Sequence, residues 1–319
     1  MPLRYAMAKC ANNMRRDSVI FIVGPTAIGK TSLAIRLAKR ISGEIISCDS
    51  MQVYKGMRIL SQCPSAQDRK AVPHHLVSIA DPAKEYSVAA FRKAATKAIE
   101  SIIGRGKVPI VTGGTGLYAK ALIDGLFPSP KADIKFRRAM QKLVSRHGSG
   151  RLHAKLAKID PAAAASIHPN DVRRIIRALE IHHTTGRTMT ELKSMTKGLK
   201  DRYDIKIFGL TRPREDIYAA IDERVDRMFE EGLLAEVKRF KKKRLSKTAR
   251  AVLGFKETAG YLRGEYGLEA AKALMKMNTR RFAKRQLTWF RADRRIVWFD
   301  TDKLSQAKIV DKITKQVKR

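Results

Sequence analysis

Cysteine is scarce: only Cys10, Cys48 and Cys63 occur in 319 residues, an odd number with no CxxC spacing. That excludes a disulfide scaffold and suits a reducing, cytoplasmic setting. Metal-ligand clusters are equally lacking. The seven histidines include the doublets His74–His75 and His182–His183. Adjacent residues share no helix or strand face, and no Cys or carboxylate completes a set, so no zinc site is expected. No stretch approaches the roughly 18 consecutive apolar residues of a membrane span. Heptads and internal repeats are missing too, which makes a monomer the expectation. Acidic residues are the last shortage, with 30 Asp+Glu against 66 Lys+Arg and a net charge of +36.

What is present follows from that imbalance. Such an excess has no use in handling small metabolites, whereas a phosphate polymer rewards it through counterion release. An anionic membrane surface or an unusual host would also select basic residues, so charge alone only favours a polyanionic partner. The opening stretch, Met1 to Arg16, is basic but short and without serine. It reads as a ragged bacterial N-terminus rather than an organellar presequence. Hydrophobic residues make up 44%, enough for one large core or two ordinary ones.

Val19 to Val23 is an unbroken apolar run ending at a glycine, the pattern of a strand buried on both faces. Helical spacing follows in Thr31 to Arg40 through Leu33, Ala34, Leu37 and Ala38. Glu44 to Cys48, Val108 to Thr112 and Asp204 to Gly209 read as further strands, and Ser87 to Ile103 as a helix capped by Ser87. Alternation of this kind predicts an α/β fold with a parallel sheet. Residues 131–200 differ: they are Ala-rich, helix-forming and the most basic per residue, with 16 Lys+Arg less 5 Asp+Glu giving +11. The expected arrangement is a core from 17–128 and 202–300 with a helical C-terminal part. An all-helical subdomain is inserted at 129–201, punctuated by Pro128 and Pro130, and 301–319 forms a basic tail.

Gly24-Pro25-Thr26-Ala27-Ile28-Gly29-Lys30-Thr31 satisfies G-x-x-x-x-G-K-[ST] between a strand and a helix, as the phosphate-binding mechanism requires. Backbone N–H groups would close around phosphate oxygens at a helix N-terminus. Lys30 would neutralise a terminal phosphate, and the Thr31 hydroxyl would ligate Mg²⁺. The core is therefore P-loop NTPase-like. The third strand runs into Thr112-Gly-Gly-Thr-Gly116 with no terminal carboxylate, so an NTP-hydrolysing motor or GTPase fits poorly. The nearest acid at a strand end is Asp49. It is either a turn or capping residue or a carboxylate set beside the phosphates at the sheet's C-terminal edge.

Gly24–Thr31, Asp49–Tyr54, Gly113–Tyr118, Arg173–Glu180, Leu253–Glu257 and Lys284–Arg291 together resemble the tRNA dimethylallyltransferases, or isopentenylpyrophosphate transferases. The matching stretches follow the family's order across residues 19–295. Ile28, Arg173 and Phe255 depart from the usual Ser, Gln and Tyr. The resemblance implies transfer of a dimethylallyl group from dimethylallyl diphosphate to N6 of the adenine beside the anticodon, in tRNAs reading codons that begin with U. It implies that the P-loop holds the diphosphate and that Asp49 is the general base. Thr115 either orients the reacting groups or is a turn hydroxyl. Arg224 either faces the diphosphate or pairs with Glu223 or Asp226.

The same resemblance assigns the anticodon stem-loop to Asp49, Ser50, Met51, Gln52, Thr115, Arg137, Arg173, Arg174, Ile175, Ile176 and Arg177. Further along, it assigns Arg250, Gly254, Lys256, Lys284, Arg285, Gln286, Trp289 and Arg291. The charge pattern agrees: Lys238 to Lys256 holds nine Lys/Arg and no acid. Lys276 to Arg295 holds eight, opposed by Asp293 alone. Trp289 within that second stretch is expected in the core rather than stacked on a base. Three alternatives stay open: a small-molecule P-loop kinase, prenyl transfer to a free adenine nucleotide, and a non-catalytic RNA-binding protein with a decayed P-loop.

Overall fold

The computed structural model describes residues 17–127, 130 and 132–317; the basic opening stretch and the Pro128-Ser129 punctuation lie outside them. The chain divides into two compact units. One runs to Ile123 and resumes at Leu199; the other is Asp124–Gly198.

The first unit opens with β1 (Ser18–Val23), α1 (Lys30–Ile41), β2 (Gly43–Ser47), α2 (Ala66–Ala71), β3 (His74–His75), α3 (Val88–Gly104), β4 (Val108–Gly113) and α4 (Gly116–Ile123). In the second unit are α5 (Ile134–Ile159), α6 (Pro161–Ser166), α7 (Val172–Thr185) and α8 (Met189–Ser194). The first unit then resumes with β5 (Asp204–Thr211), α9 (Arg214–Glu230), α10 (Leu233–Lys241), α11 (Lys247–Arg250), α12 (Phe255–Tyr261), α13 (Leu268–Arg291), β6 (Val297–Asp300) and α14 (Gln306–Val317).

Six parallel strands form one sheet in the order β3-β2-β4-β1-β5-β6. Phe21 of β1 lies level with Val111 of β4 and Ile207 of β5. The unbroken apolar run in β1 now has its cause. Ile20 and Ile22 enter a core shared with α1, α9, α10 and α14, while Val19, Phe21 and Val23 enter one shared with α3 and α4. Helices on both faces leave Val19 to Val23 no side exposed to water. Ser87 caps α3 as expected, its side chain accepting from the Ala90 N–H.

Two strands were not legible beforehand. β3 is only two residues long, and β6 is short and directly follows a long basic helix. The segment expected as a basic tail is also corrected. Its described part folds as α14, with Ile309, Val310 and Ile313 buried against α1 and the Gln306 amide donating to Ser32 Oγ at 2.9 Å. Its apolar residues recur at i, i+1 and i+4, which gives a basic sequence one face to bury.

The second unit is all-helical, with its own core of Leu152, Leu156, Ile167, Ile175, Ile176 and Leu179. Each fully buried Leu or Ile contributes about 1.5–3 kcal/mol. α5 is interrupted at Gly148, whose φ of 75° no helix accommodates. At the centre Glu180 is wholly buried. It accepts from the Asp133 N–H at 2.7 Å, from Arg137 at 2.7 and 2.8 Å, and from Arg177. Burial works to raise its pKa, but these donors hold it at about 2.

Candidate active site

The loops after β1, β2 and β4, three neighbouring strands, meet at one edge of the sheet. The glycine-rich loop runs from Gly24 into α1, which begins at Gly29 with a left-handed φ of 86° and at Lys30. Ile28, the departure from the usual Ser, is buried in the core beneath the loop. Lys30 Nζ donates to the Pro25 carbonyl. Burial and the neighbouring Arg224 charge lower its pKa to about 7, while Asp49 acts in the opposite direction. Arg224 comes from α9 and donates to Thr26 Oγ1 at 3.1 Å. The alternative pairing with Glu223 belongs instead to Arg227, at 3.6 Å, and Asp226 pairs with Lys276. Arg224 therefore faces the loop. Its own pKa is lowered by burial and by Arg227, so two cations lie close together with little solvent. A bound polyanion would relieve that repulsion.

Asp49 stands two residues beyond β2. Its Oδ1 accepts from the Met51 N–H at 2.8 Å and the Gln52 N–H at 3.4 Å. This is the turn role that the sequence left open, and it engages one oxygen only. No hydrogen bond to Oδ2 occurs among the described residues. Burial pushes the Asp49 carboxyl up, against the two N–H groups and Lys30. A carboxylate that feels the Lys30 charge and carries an unengaged oxygen can accept a proton from a group placed beside the phosphates.

Thr115 answers the other open question. Its Oγ1 accepts from the Ser50 N–H at 3.1 Å, and its N–H donates to the Cys48 carbonyl at 3.3 Å. The hydroxyl therefore holds the Asp49 loop against the loop after β4. Gly116 follows, and any side chain there would come within 2.1 Å of the Trp289 indole. Trp289 is 38% exposed, which corrects its expected place in the core; the adjacent Phe290, at 4%, fills that place.

Several residues expected at RNA are engaged inside the protein. The Gln52 amide accepts from Ser47 Oγ at 2.8 Å and donates to the Gln62 carbonyl at 2.9 Å. The Gln286 amide accepts from the Thr26 N–H at 2.8 Å and donates to the Gly114 carbonyl at 2.9 Å. Ile175 and Ile176 are buried in the helical unit, where Arg137 and Arg177 bind Glu180. Arg173 and Arg174, one turn earlier on the same helix, are exposed, whereas Arg177 is drawn in by its bond to the buried Glu180. Arg250, Lys256, Lys284, Arg285 and Arg291 are exposed as well. Gly254, φ 91°, opens α12, with its N–H held by the buried Glu257. Ser50 and Met51 are half-buried beside Asp49.

Sequence reasoning missed Ser47, Glu236 and the role of Gln286. Glu236 of α10 is buried and binds the Ile59 and Leu60 N–H groups at 2.8–3.1 Å, fixing the segment that follows the Asp49 loop. No local signal marks it, because its partners lie 176 and 177 residues away. Among the described residues, no cluster of three or more His, Cys, Asp or Glu could hold a metal ion, and no helix is long and apolar enough to cross a membrane.

The sheet order, the phosphate loop and the carboxylate beside it define an α/β protein of the P-loop class whose site is arranged for transfer chemistry. Comparison with known proteins narrows this. Residues 52–293 match the family model "IPP transferase", and residues 17–73 match "Isopentenyl transferase". A tRNA dimethylallyltransferase of Halothermothrix orenii is 48% identical over 302 residues, covering 94% of this chain and 92% of the relative. That of Bacillus subtilis is 46% identical over 292 residues, covering 90% and 92%. The solved full-length tRNA isopentenylpyrophosphate transferase of Bacillus halodurans superposes with a TM-score of 0.70 at 42% identity, covering 95% of this chain and 97% of that one. A eukaryotic dimethylallyltransferase solved acting on tRNA gives 0.74 at 31% identity, covering 94% and 80%. The chain belongs to the IPP transferase family, the tRNA dimethylallyltransferases.

Proposed function

We propose that this chain transfers the dimethylallyl group of dimethylallyl diphosphate to N6 of an adenine beside the anticodon of tRNA, giving N6-(dimethylallyl)adenosine. The observation that carries this reading is the tying of the Asp49 loop to the phosphate loop through Thr115 and Gln286, which sets an acceptor for a proton next to a cradle for phosphate. The adenine amine is a weak nucleophile because its lone pair is delocalised into the ring. As its nitrogen bonds to the terminal carbon of the prenyl group, the C–O bond breaks and its electron pair leaves with the diphosphate. Asp49 takes the N6 proton through its unengaged oxygen. Burial raises its basicity above that of an exposed carboxylate, which suits it to this task. Lys30, Arg224 and the loop N–H groups stabilise the charge that develops on the leaving oxygen.

A magnesium ion fits the donors present. The Thr31 hydroxyl, in the first turn of α1, makes no hydrogen bond among the described residues, and hard oxygen donors suit this cation. With no cluster of three or more His, Cys, Asp or Glu among the described residues, the ion would take its other ligands from diphosphate and water. When bound it would neutralise part of the leaving group's charge. For the tRNA itself, the exposed Arg173, Arg174, Arg250, Lys256, Lys284, Arg285 and Arg291 supply contacts to phosphates, and the exposed Trp289 supplies a face for stacking. The test is incubation with undermodified tRNA, Mg²⁺ and labelled dimethylallyl diphosphate, followed by nucleoside analysis. Labelled N6-prenyl adenosine is expected. ATP turnover with no alkylated nucleoside would overturn the reading.

A further inference from the structure

Gln286 lies on the inner face of α13, between the buried Ala283 and Phe290, while Lys284, Arg285 and Trp289 face outward. Its side chain is 6% exposed and its amide is engaged at both ends. Oε1 accepts from the Thr26 N–H at 2.8 Å, and Nε2 donates to the Gly114 carbonyl at 2.9 Å. The fit is tight. A methyl group on Gly114 would fall 2.0 Å from Nε2.

Each end of this bridge continues into the machinery. On one side Thr26 accepts through Oγ1 from Arg224, so the residue gripped by Gln286 is also gripped by a cation of the diphosphate cradle. On the other side Gly114 leads to Thr115, whose hydroxyl holds the Ser50 N–H and whose N–H binds the Cys48 carbonyl, on either side of Asp49. A continuous line of contacts therefore runs from Arg224 through Thr26, Gln286, Gly114 and Thr115 to the Asp49 loop.

We propose that Gln286 is a positioning residue that sets the gap between the diphosphate loop and the proton-accepting loop. The inference rests on the transfer reaction proposed above. In a displacement at carbon, the attacking nitrogen and the departing oxygen stand on opposite sides of one atom. The two loops that hold them must keep their spacing to a fraction of an ångström, and a misplacement of about 1 Å costs on the order of 10² in rate. The Gln286 amide touches neither the phosphate nor the base. It reaches one backbone donor and one backbone acceptor at once, which requires a neutral amide of this length. Glutamate cannot donate to the Gly114 carbonyl, methionine fills the space without either bond, and asparagine is one methylene short.

The experiment is steady-state kinetics of the full chain carrying Gln286→Met, Gln286→Glu or Gln286→Asn, with thermal melts of each. Thr279→Val serves as a control, since Thr279 is a buried hydroxyl on the same helix that donates only to Met275. The expected result is a fall in kcat of about 30- to 100-fold for the Met and Glu variants, with KM for dimethylallyl diphosphate and for tRNA each within threefold of wild type. Thr279→Val should change the melt and leave kcat alone. If the Met variant does not fold, the Glu and Asn variants decide. A kcat within threefold of wild type overturns the proposal, and so does a loss that appears only in KM for tRNA, which would make Gln286 an RNA contact. Wild-type protein that makes no alkylated nucleoside would instead sink the reaction itself, and this role with it.

Discussion

Strand β2 carries a carboxylate near each end, and the two are treated in opposite ways. Glu44, at its start, is 3% exposed and meets His75 and Arg105 at 2.7 Å and Lys107 at 2.9 Å. Burial alone would raise its pKa, but those partners hold it at about 2. Asp49, just past the other end, is offered two backbone N–H groups and the ammonium of Lys30, and its pKa still rises. The cost of burial, which both bear, therefore does not separate a structural carboxylate from a chemical one. The number of acceptor oxygens left over does. At Glu44 both oxygens are engaged, whereas at Asp49 one is held back.

Substitution should split the two sharply. Asp49→Asn is expected to lower kcat by about 10²–10⁴. It should leave the melting temperature unchanged or higher, because a neutral amide removes the cost of a buried charge. Product formation and a thermal melt measure both, and a near-normal rate would end the role of Asp49 as base. Next in size is Lys30→Met, expected to weaken pyrophosphate binding by roughly 10- to 100-fold, the range for a lost charge-assisted hydrogen bond. Calorimetric titration reads it, and unaltered affinity would place the anion elsewhere.

Glu44→Gln should do the reverse of Asp49→Asn. It is expected to cost roughly 1–3 kcal/mol of stability with kcat unchanged, its partners being half-exposed. The pH dependence has a definite sign. The folded pKa of Glu44 lies below its ordinary value, so its contribution is complete above pH 4.5 and is lost as pH falls towards about 2. Denaturant melts of wild type and Glu44→Gln should therefore converge across that window; parallel curves would rule out the linkage. The smallest effect belongs to Lys30. In the ligand-free protein it is half-neutral near pH 7, and an arriving diphosphate favours its charged form. Binding at pH 8 should therefore take up as much as one proton, and affinity should fall as pH rises above about 7. Titration in buffers of different ionisation enthalpy counts that proton, and none taken up would mean Lys30 is already charged.

Much of this was legible because the signals are local. Gly24–Thr31 is one contiguous loop whose spacing states its own geometry. Strand β1 announces a sheet covered on both faces, and Asp49 stands at a strand end. What escaped depends on distant partners. Gln286 reads as another polar residue in a basic stretch until the fold brings it to Thr26, 260 positions away. Trp289 was misassigned because two aromatic residues are adjacent and only one can face inward. The phase set by Ala283 and Gln286 selects Phe290. Arg137 and Arg177 read as cations for RNA, because nothing in their own neighbourhood shows that Glu180 points inward between them.

The helical unit leaves and rejoins the chain at almost one point. Thr196 Oγ1 donates to the Asp124 carbonyl at 3.3 Å, and a methyl group on Gly125 would lie 2.5 Å from the Lys197 carbonyl. With stem ends this close and an apolar interior of its own, the unit is a cassette. A tight turn could replace it, or an unrelated module could be grafted between the same stems, without re-threading the sheet. Exchanging such a cassette would change the surface offered to a macromolecular client and leave the sheet and its loops as they are.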